Sequence, residues 1–216
     1  MKFFIDTANL AQIKEANELG ILDGVTTNPS LMAKEGIKGQ EAIFKHYKTI
    51  CEMVNGDISA EVVSTDFNGI VEEGKKLAAI HKNIVVKVPM IKDGVKAIKW
   101  FTDNGISTNC TLVFSAGQAI LCAKAGAKYV SPFIGRIDDS GWDGVLLIEQ
   151  IAKIYGVQGY KTEILAASIR SPNHIIRCAE AGAHVCTSPL ESILGLLKHP
   201  LTDIGLAKFL EDARKM

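Results

Sequence analysis

A chain of 216 residues, 47% apolar and 22% charged, with no low-complexity tract, has the make-up of one globular domain and excludes extended disorder. Lysine plus arginine balance aspartate plus glutamate at 24 each, which removes the drive toward nucleic acid or an anionic membrane but leaves room for a phosphorylated small molecule, since that needs only local cations. No apolar run approaches the roughly 18 residues of a membrane span, and MKFFIDTANL meets Asp6 too soon for a secretory h-region, so a cytoplasmic protein is expected.

Short β-branched runs alternate with longer stretches of helical period along the whole chain. KFFID at 2–6 leads into LAQIKEANELG; GVTTN at 24–28 and ISAEVV at 58–63 follow, the latter leading into FNGIVEEGKKLAAIHKN. IVVKVP at 84–89 precedes VKAIKWFTDNG, and STNCTLV at 107–113 precedes AGQAILCAKAGA. KYVSPF at 128–133, TEILAAS at 162–168 with PNHIIRCAEAGA behind it, and HVCTS at 184–188 complete the set. Several helical stretches close on glycine, the residue best suited to a left-handed C-cap. Eight such units predict an α/β fold, a (β/α)8 TIM barrel of one domain over residues 1–216. LTDIGLAKFLEDARKM adds a C-terminal helix at about 201–215, with Pro200 just ahead of it.

An open doubly wound sheet is the competing fold. It usually carries a G-x-G-x-x-G turn after the first strand, and here that strand ends in Asp6-Thr7-Ala8-Asn9. Neither a Walker loop nor a G-x-S-x-G elbow is present. The five cysteines form no C-x-x-C pair and the histidines, His46, His81, His174, His184 and His199, have no ligand spacing. Buried structural thiols, no metal and no cofactor are expected.

Barrel enzymes carry their chemistry at the C-terminal ends of the strands. Polar residues collect there: Asp6 on the first strand, Thr26 and Asn28 on the second, Glu61 on the third, Lys87 on the fourth, and Asn109 and Thr111 on the fifth. Ser131 and Arg136 follow the sixth strand, and Ser168 and Arg170 the seventh. Taken singly, each has a plainer alternative. Asp6-Thr7 and Thr27-Asn28-Pro29-Ser30 also read as turns or helix caps, Glu61 as a barrel residue paired with a lysine, and Ser168 and Arg170 as caps of a helix opening at Pro172.

Lys87 is the sharpest single signal. Flanked by Val85, Val86 and Val88 in a strand buried on both faces, it must leave bulk water, and desolvation disfavours an ammonium. A neutral amine is a nucleophile toward carbonyls. The alternative is a structural lysine paired with Asp6 or Glu61.

DGVTTNPSL at 23–31, VVKVPM at 85–90, TNCTLVFSAGQ at 108–118, SPFIGRIDD at 131–139 and LAASIRSPNHI at 165–175 resemble the motifs of the transaldolase family, in order and over nearly the whole chain. Within it the chain is similar to the small subfamily that also contains fructose-6-phosphate aldolases. The resemblance implies a class I barrel in which Lys87 forms a Schiff base and Asp6 is the acid/base for carbon–carbon cleavage. Glu61 and Thr111 would hold the water of imine formation and hydrolysis. Asn28 and Asn109 would bind sugar hydroxyls, Ser131 would line the site with Thr26 and Phe133, and Arg136, Ser168 and Arg170 would hold phosphate. It also implies sugar-phosphate substrates, a pentose phosphate role and a ring-based homo-oligomer, often a decamer.

Three functions follow from these residues: a transaldolase passing a dihydroxyacetone unit between sugar phosphates, an aldolase releasing it to water, and a non-catalytic sugar-phosphate binder. The aldolase branch resembles a pattern with glutamine in place of Glu61 and tyrosine in place of Phe133, and this chain has neither. A phenol can donate to the hydrolytic water and a phenyl ring cannot, which favours transfer. A binder has no use for a desolvated lysine.

Overall fold

Eight strands close into a barrel in sequence order, all parallel, with the last pairing back to the first. They are β1 (Lys2–Asp6), β2 (Leu22–Thr26), β3 (Asp57–Glu61), β4 (Ile84–Pro89), β5 (Thr108–Val113), β6 (Tyr129–Pro132), β7 (Glu163–Ala166) and β8 (Val185–Ser188), in a computed structural model that describes residues 1–216. The helices are α1 (Leu10–Glu18), α2 (Pro29–Lys34), α3 (Gln40–Met53), α4 (Phe67–Ala78), α5 (Lys92–Asp103), α6 (Ala116–Ala125), α7 (Ile134–Asp138), α8 (Val145–Gln158), α9 (Pro172–Glu180), α10 (Leu190–Gly195) and α11 (Pro200–Ala213). The expected (β/α)8 barrel with an added C-terminal helix is the fold this chain adopts. No helix is long and apolar enough to cross a membrane.

Side chains of a strand alternate between its two faces, and that alternation builds two cores. Outward residues such as Ile5, Val25, Ile58, Val86, Cys110, Ile164 and Cys186 pack beneath the helices in the main apolar core. Inward residues Phe4, Val85, Tyr129, Leu165 and Val185 form a smaller apolar plug inside the barrel. Two residues further along each of those strands, the inward positions become Asp6, Lys87, Ser131, Ala167 and Thr187. The plug thus forms a dry floor, and the next layer is the site. Gly24 makes room for the plug: a β-carbon there would lie 2.6 Å from the Phe4 ring. Beneath the floor, Tyr129 donates its hydroxyl to Asp57 at 2.6 Å, and burial pushes that phenol far above its usual range.

Local sequence sets the element ends. Asn9, Asn28, Asp66, Ser115 and Ser171 each accept a hydrogen bond from the first turn of the helix they open. Gly126 closes α6 in the left-handed region at φ 89°, as the Ala-Gly-Ala cadence predicts. The second strand ends at Thr26 rather than at residue 28, because Asn28 turns its side chain to Leu31 N at 2.9 Å and Pro29 starts α2. Pro200 lies inside the first turn of α11 rather than ahead of it, where its missing N–H leaves nothing unsatisfied. All five cysteines are free and buried.

Candidate active site

The polar layer opens into a cavity of about 130 Å³ at the C-terminal end of the barrel, lined by Asp6, Thr26, Asn28, Lys87, Ser131, Phe133, Arg136, Ala167, Ser168 and Thr187. A larger groove of about 670 Å³ runs outside the barrel over Trp100 and Leu121, but its ionisable groups, Lys96, Lys99, Asp103 and Lys124, are all exposed. Chemistry that needs a dry, preorganised setting belongs in the smaller cavity.

Lys87 is 5% exposed. Its Nζ lies 2.9 Å from Glu61 Oε2 and donates to the Thr27 carbonyl at 3.0 Å. The barrel register creates the pair, since Glu61 and Lys87 are Cα partners on neighbouring strands and Lys87 is in turn paired with Asn109. Sequence reasoning from the flanking valines described a lysine stripped of solvent. Of the two carboxylates the sequence offers, Asp6 and Glu61, the structure selects Glu61, so the amine's proton has an acceptor within hydrogen-bond reach. Replacing such a pair with apolar residues is often neutral or stabilising, so stability alone is a weak reason for it to exist.

Asp6 Oδ1 accepts from the Thr26 hydroxyl at 2.7 Å, and Thr26 Oγ1 lies 2.7 Å from Thr187 Oγ1. Each hydroxyl has one proton, so with Thr26 committed to Asp6 the second bond is donated by Thr187. Both protons of this chain therefore point toward the carboxylate. Asn109 is fully buried, its amide donating to Ser59 Oγ at 3.1 Å while its oxygen accepts from Ser131 Oγ at 2.7 Å. It does not line the cavity and presents Ser131, which does. Thr111 is also fully buried, its hydroxyl without a protein partner. The next residue, Leu112, has φ 60° at an irregularity between β5 and β6. Strain of this kind, about 1–3 kcal/mol, persists where surrounding structure holds it and clusters at functional sites.

Ser168 has φ 60° as well, and its carbonyl accepts from Gly135 N at 3.1 Å, tying the end of β7 to α7. Ser171, not Ser168, caps α9, which removes the plainer alternative for Ser168. Arg136 stands 5.3 Å from the Phe133 ring centroid, with no carboxylate in ion-pair range. Arg170 differs: it is exposed at the rim and bonded to Asp139 at 2.7 Å. Glu61, Asn109, Thr111 and Arg170 are thus placed around the cavity rather than on its wall.

Two polar side chains at the site escape the sequence reading, Thr187 and Ser59. Both obey the two-residue step from inward neighbours, Thr187 from Val185 and Ser59 toward Glu61, so the signal was the strand period itself.

Comparison with known proteins gives the family. The family model described as Transaldolase/Fructose-6-phosphate aldolase matches residues 3–216. Proteins named probable transaldolase from Cytophaga hutchinsonii and Parabacteroides distasonis are 68% and 67% identical over 216 residues, covering 100% of this chain and 99% of each relative. That from Porphyromonas gingivalis is 63% identical, covering 100% of this chain and 98% of its own. Among solved structures, thiamine phosphate pyrophosphorylase from Pyrococcus furiosus superposes with a TM-score of 0.61 at 14% identity, over 86% of this chain and 84% of that one. Inosine 5' monophosphate dehydrogenase from Legionella pneumophila gives 0.60 at 12% identity, over 89% and 58%. Those two likenesses concern the barrel alone, whereas the full-length match at high identity concerns the enzyme: this chain is an enzyme of the transaldolase/fructose-6-phosphate aldolase family.

Proposed function

We propose that the protein is a transaldolase that moves a dihydroxyacetone unit from sedoheptulose 7-phosphate or fructose 6-phosphate to glyceraldehyde 3-phosphate or erythrose 4-phosphate, through a Schiff base on Lys87. The observation that carries this reading is a buried amine, already paired with a carboxylate, facing a cavity shared with Asp6 and an unpaired Arg136. Glu61 takes the lysine's proton, and the freed amine attacks the ketose carbonyl. Thr111 and Glu61 hold the water lost and regained as the imine forms and breaks. The protonated imine is an electron sink. As the bond two carbons away breaks, Asp6 accepts the hydroxyl proton and the aldose phosphate leaves. A three-carbon enamine stays on Lys87 until an acceptor aldehyde arrives, when Asp6 returns the proton.

Arg136 and Arg170 are the proposed phosphate ligands. An exposed ion pair such as Arg170–Asp139 is worth about 0.2–1 kcal/mol, less than the 1.5–3 kcal/mol or so of a hydrogen bond to a charged group, so phosphate can draw Arg170 away from Asp139. Arg136→Ala and Arg170→Ala should each raise KM for fructose 6-phosphate by roughly 10- to 100-fold while leaving unphosphorylated ketoses nearly unchanged. Equal losses on both substrates would make the arginines structural.

Transfer is favoured over hydrolysis because Phe133 lines the cavity without a hydroxyl and Glu61 is a carboxylate. Fructose 6-phosphate alone should turn over slowly, and erythrose 4-phosphate should accelerate its use. Phe133→Tyr should raise the release of free dihydroxyacetone, since a phenol there can donate to the hydrolytic water. Splitting of fructose 6-phosphate as fast without an acceptor as with one would replace transfer by the aldolase reading.

The proposal includes a cytoplasmic place in the pentose phosphate pathway and a homo-oligomeric ring. Helix α11 supports the oligomer: it has no buried residue and exposes Leu201, Ile204, Leu206, Phe209 and Leu210, apolar surface that suits burial against a second copy.

A further inference from the structure

The ladder between β2 and β3 stops one rung short of its register. Thr27 N donates to the Ser59 carbonyl at 3.3 Å, and in a parallel pair the following bond runs from Glu61 N to the Thr27 carbonyl. That carbonyl instead accepts from Lys87 at 3.0 Å. Filling the break is Tyr47, which reaches in from α3 outside the barrel and is 2% exposed. Its phenol oxygen lies 2.9 Å from Thr27 Oγ1. Thr27 Oγ1 donates to the Ser59 carbonyl at 3.2 Å, so the phenol proton goes to Thr27. Burial pushes the Tyr47 phenol up to about 12, which keeps that proton in place at neutral pH.

We propose that Tyr47 is a positioning residue for Lys87: by gripping Thr27, it holds the ladder open so that the Thr27 carbonyl and the Glu61 carboxylate both face the amine. The inference rests on the Schiff-base reading and adds to it a residue from outside the strand ends. Without the phenol, Thr27 is released, and its carbonyl is the acceptor that the register places opposite the Glu61 N–H. Closing that rung withdraws a partner from Lys87.

The test is the rate at which a borohydride-reducible adduct forms on Lys87 with saturating fructose 6-phosphate, together with the half-saturating concentration and Tm. Tyr47→Phe keeps the ring and should slow adduct formation about tenfold, the loss of one buried hydrogen bond, with half-saturation unchanged. Thr27→Val removes the hydroxyl but keeps the carbonyl, and should slow it about threefold. The double variant should be no slower than Tyr47→Phe, because both break the same grip. Tyr155→Phe is the control, since its buried hydroxyl donates to the Ala119 carbonyl at 2.6 Å away from the cavity; it should lower Tm without slowing the adduct. Should Tyr47→Phe fail to fold, Thr27→Val carries the comparison. Adduct formation at the unmodified rate in Thr27→Val and in any folded Tyr47→Phe, or equal slowing by Tyr155→Phe, overturns the inference alone. No adduct on Lys87 in the unmodified protein overturns the Schiff-base reading beneath it.

Discussion

Lys87→Met will abolish turnover and also lower stability by about 2–3 kcal/mol, and adding Glu61→Gln will recover the stability without the turnover. The volume change is small and the methionine is apolar, so packing alone predicts a tolerated substitution. The ion pair reverses that. Side-chain exposures are 6% for Lys87 and 15% for Glu61, so removing the lysine leaves a carboxylate with little water and no counter-charge. Breaking a fully buried pair costs about 3–5 kcal/mol, and the residual exposure of Glu61 brings the figure down. For a chain of this size the loss corresponds to a fall in Tm of about 4–12 °C. The double variant buries no unpaired charge but still has no nucleophile. Unchanged Tm in the single variant would mean that the pair contributes nothing, and turnover in either would remove Lys87 from the chemistry.

Asp6→Asn should separate imine formation from bond cleavage. Asparagine keeps the shape and still accepts from Thr26, so the cavity and its Thr187–Thr26 chain persist. It is no base. Cleavage should slow by about 10²- to 10⁴-fold, the usual worth of a positioned acid/base, while attack by Lys87 proceeds. Reduction should then trap the intact hexose phosphate on the enzyme, where the unmodified protein yields mostly the dihydroxyacetone adduct. A dihydroxyacetone adduct formed by Asp6→Asn at the original rate would assign the proton transfer to another group.

The strands were legible because each is a short β-branched run between helical periods, and barrel closure follows from eight repeats of that unit. Legibility failed where tertiary contacts set local behaviour. GVTTN reads as strand through residue 28, yet the Asn28 side chain prefers the amide of Leu31 and ends β2 at Thr26. Lys87 stood out because charge amid valines is rare. The sequence leaves its partner open between Asp6 and Glu61, and the β3–β4 register selects Glu61. Tyr47 illustrates the limit most clearly: with Phe44, Ile50 and Cys51 it fits an ordinary apolar helix face, and only the broken rung beside Thr27 distinguishes its hydroxyl. Arg136 and Arg170 looked equivalent in sequence, and Asp139 makes them different.

The central claim is that the covalent intermediate forms on Lys87. Incubating the unmodified protein with fructose 6-phosphate, reducing with borohydride and mapping the peptides by mass spectrometry tests it directly. One adduct, of dihydroxyacetone mass, is expected on the peptide containing Lys87; an adduct on a different lysine, or none at all from a protein that still transfers the three-carbon unit, would remove Lys87 from the chemistry.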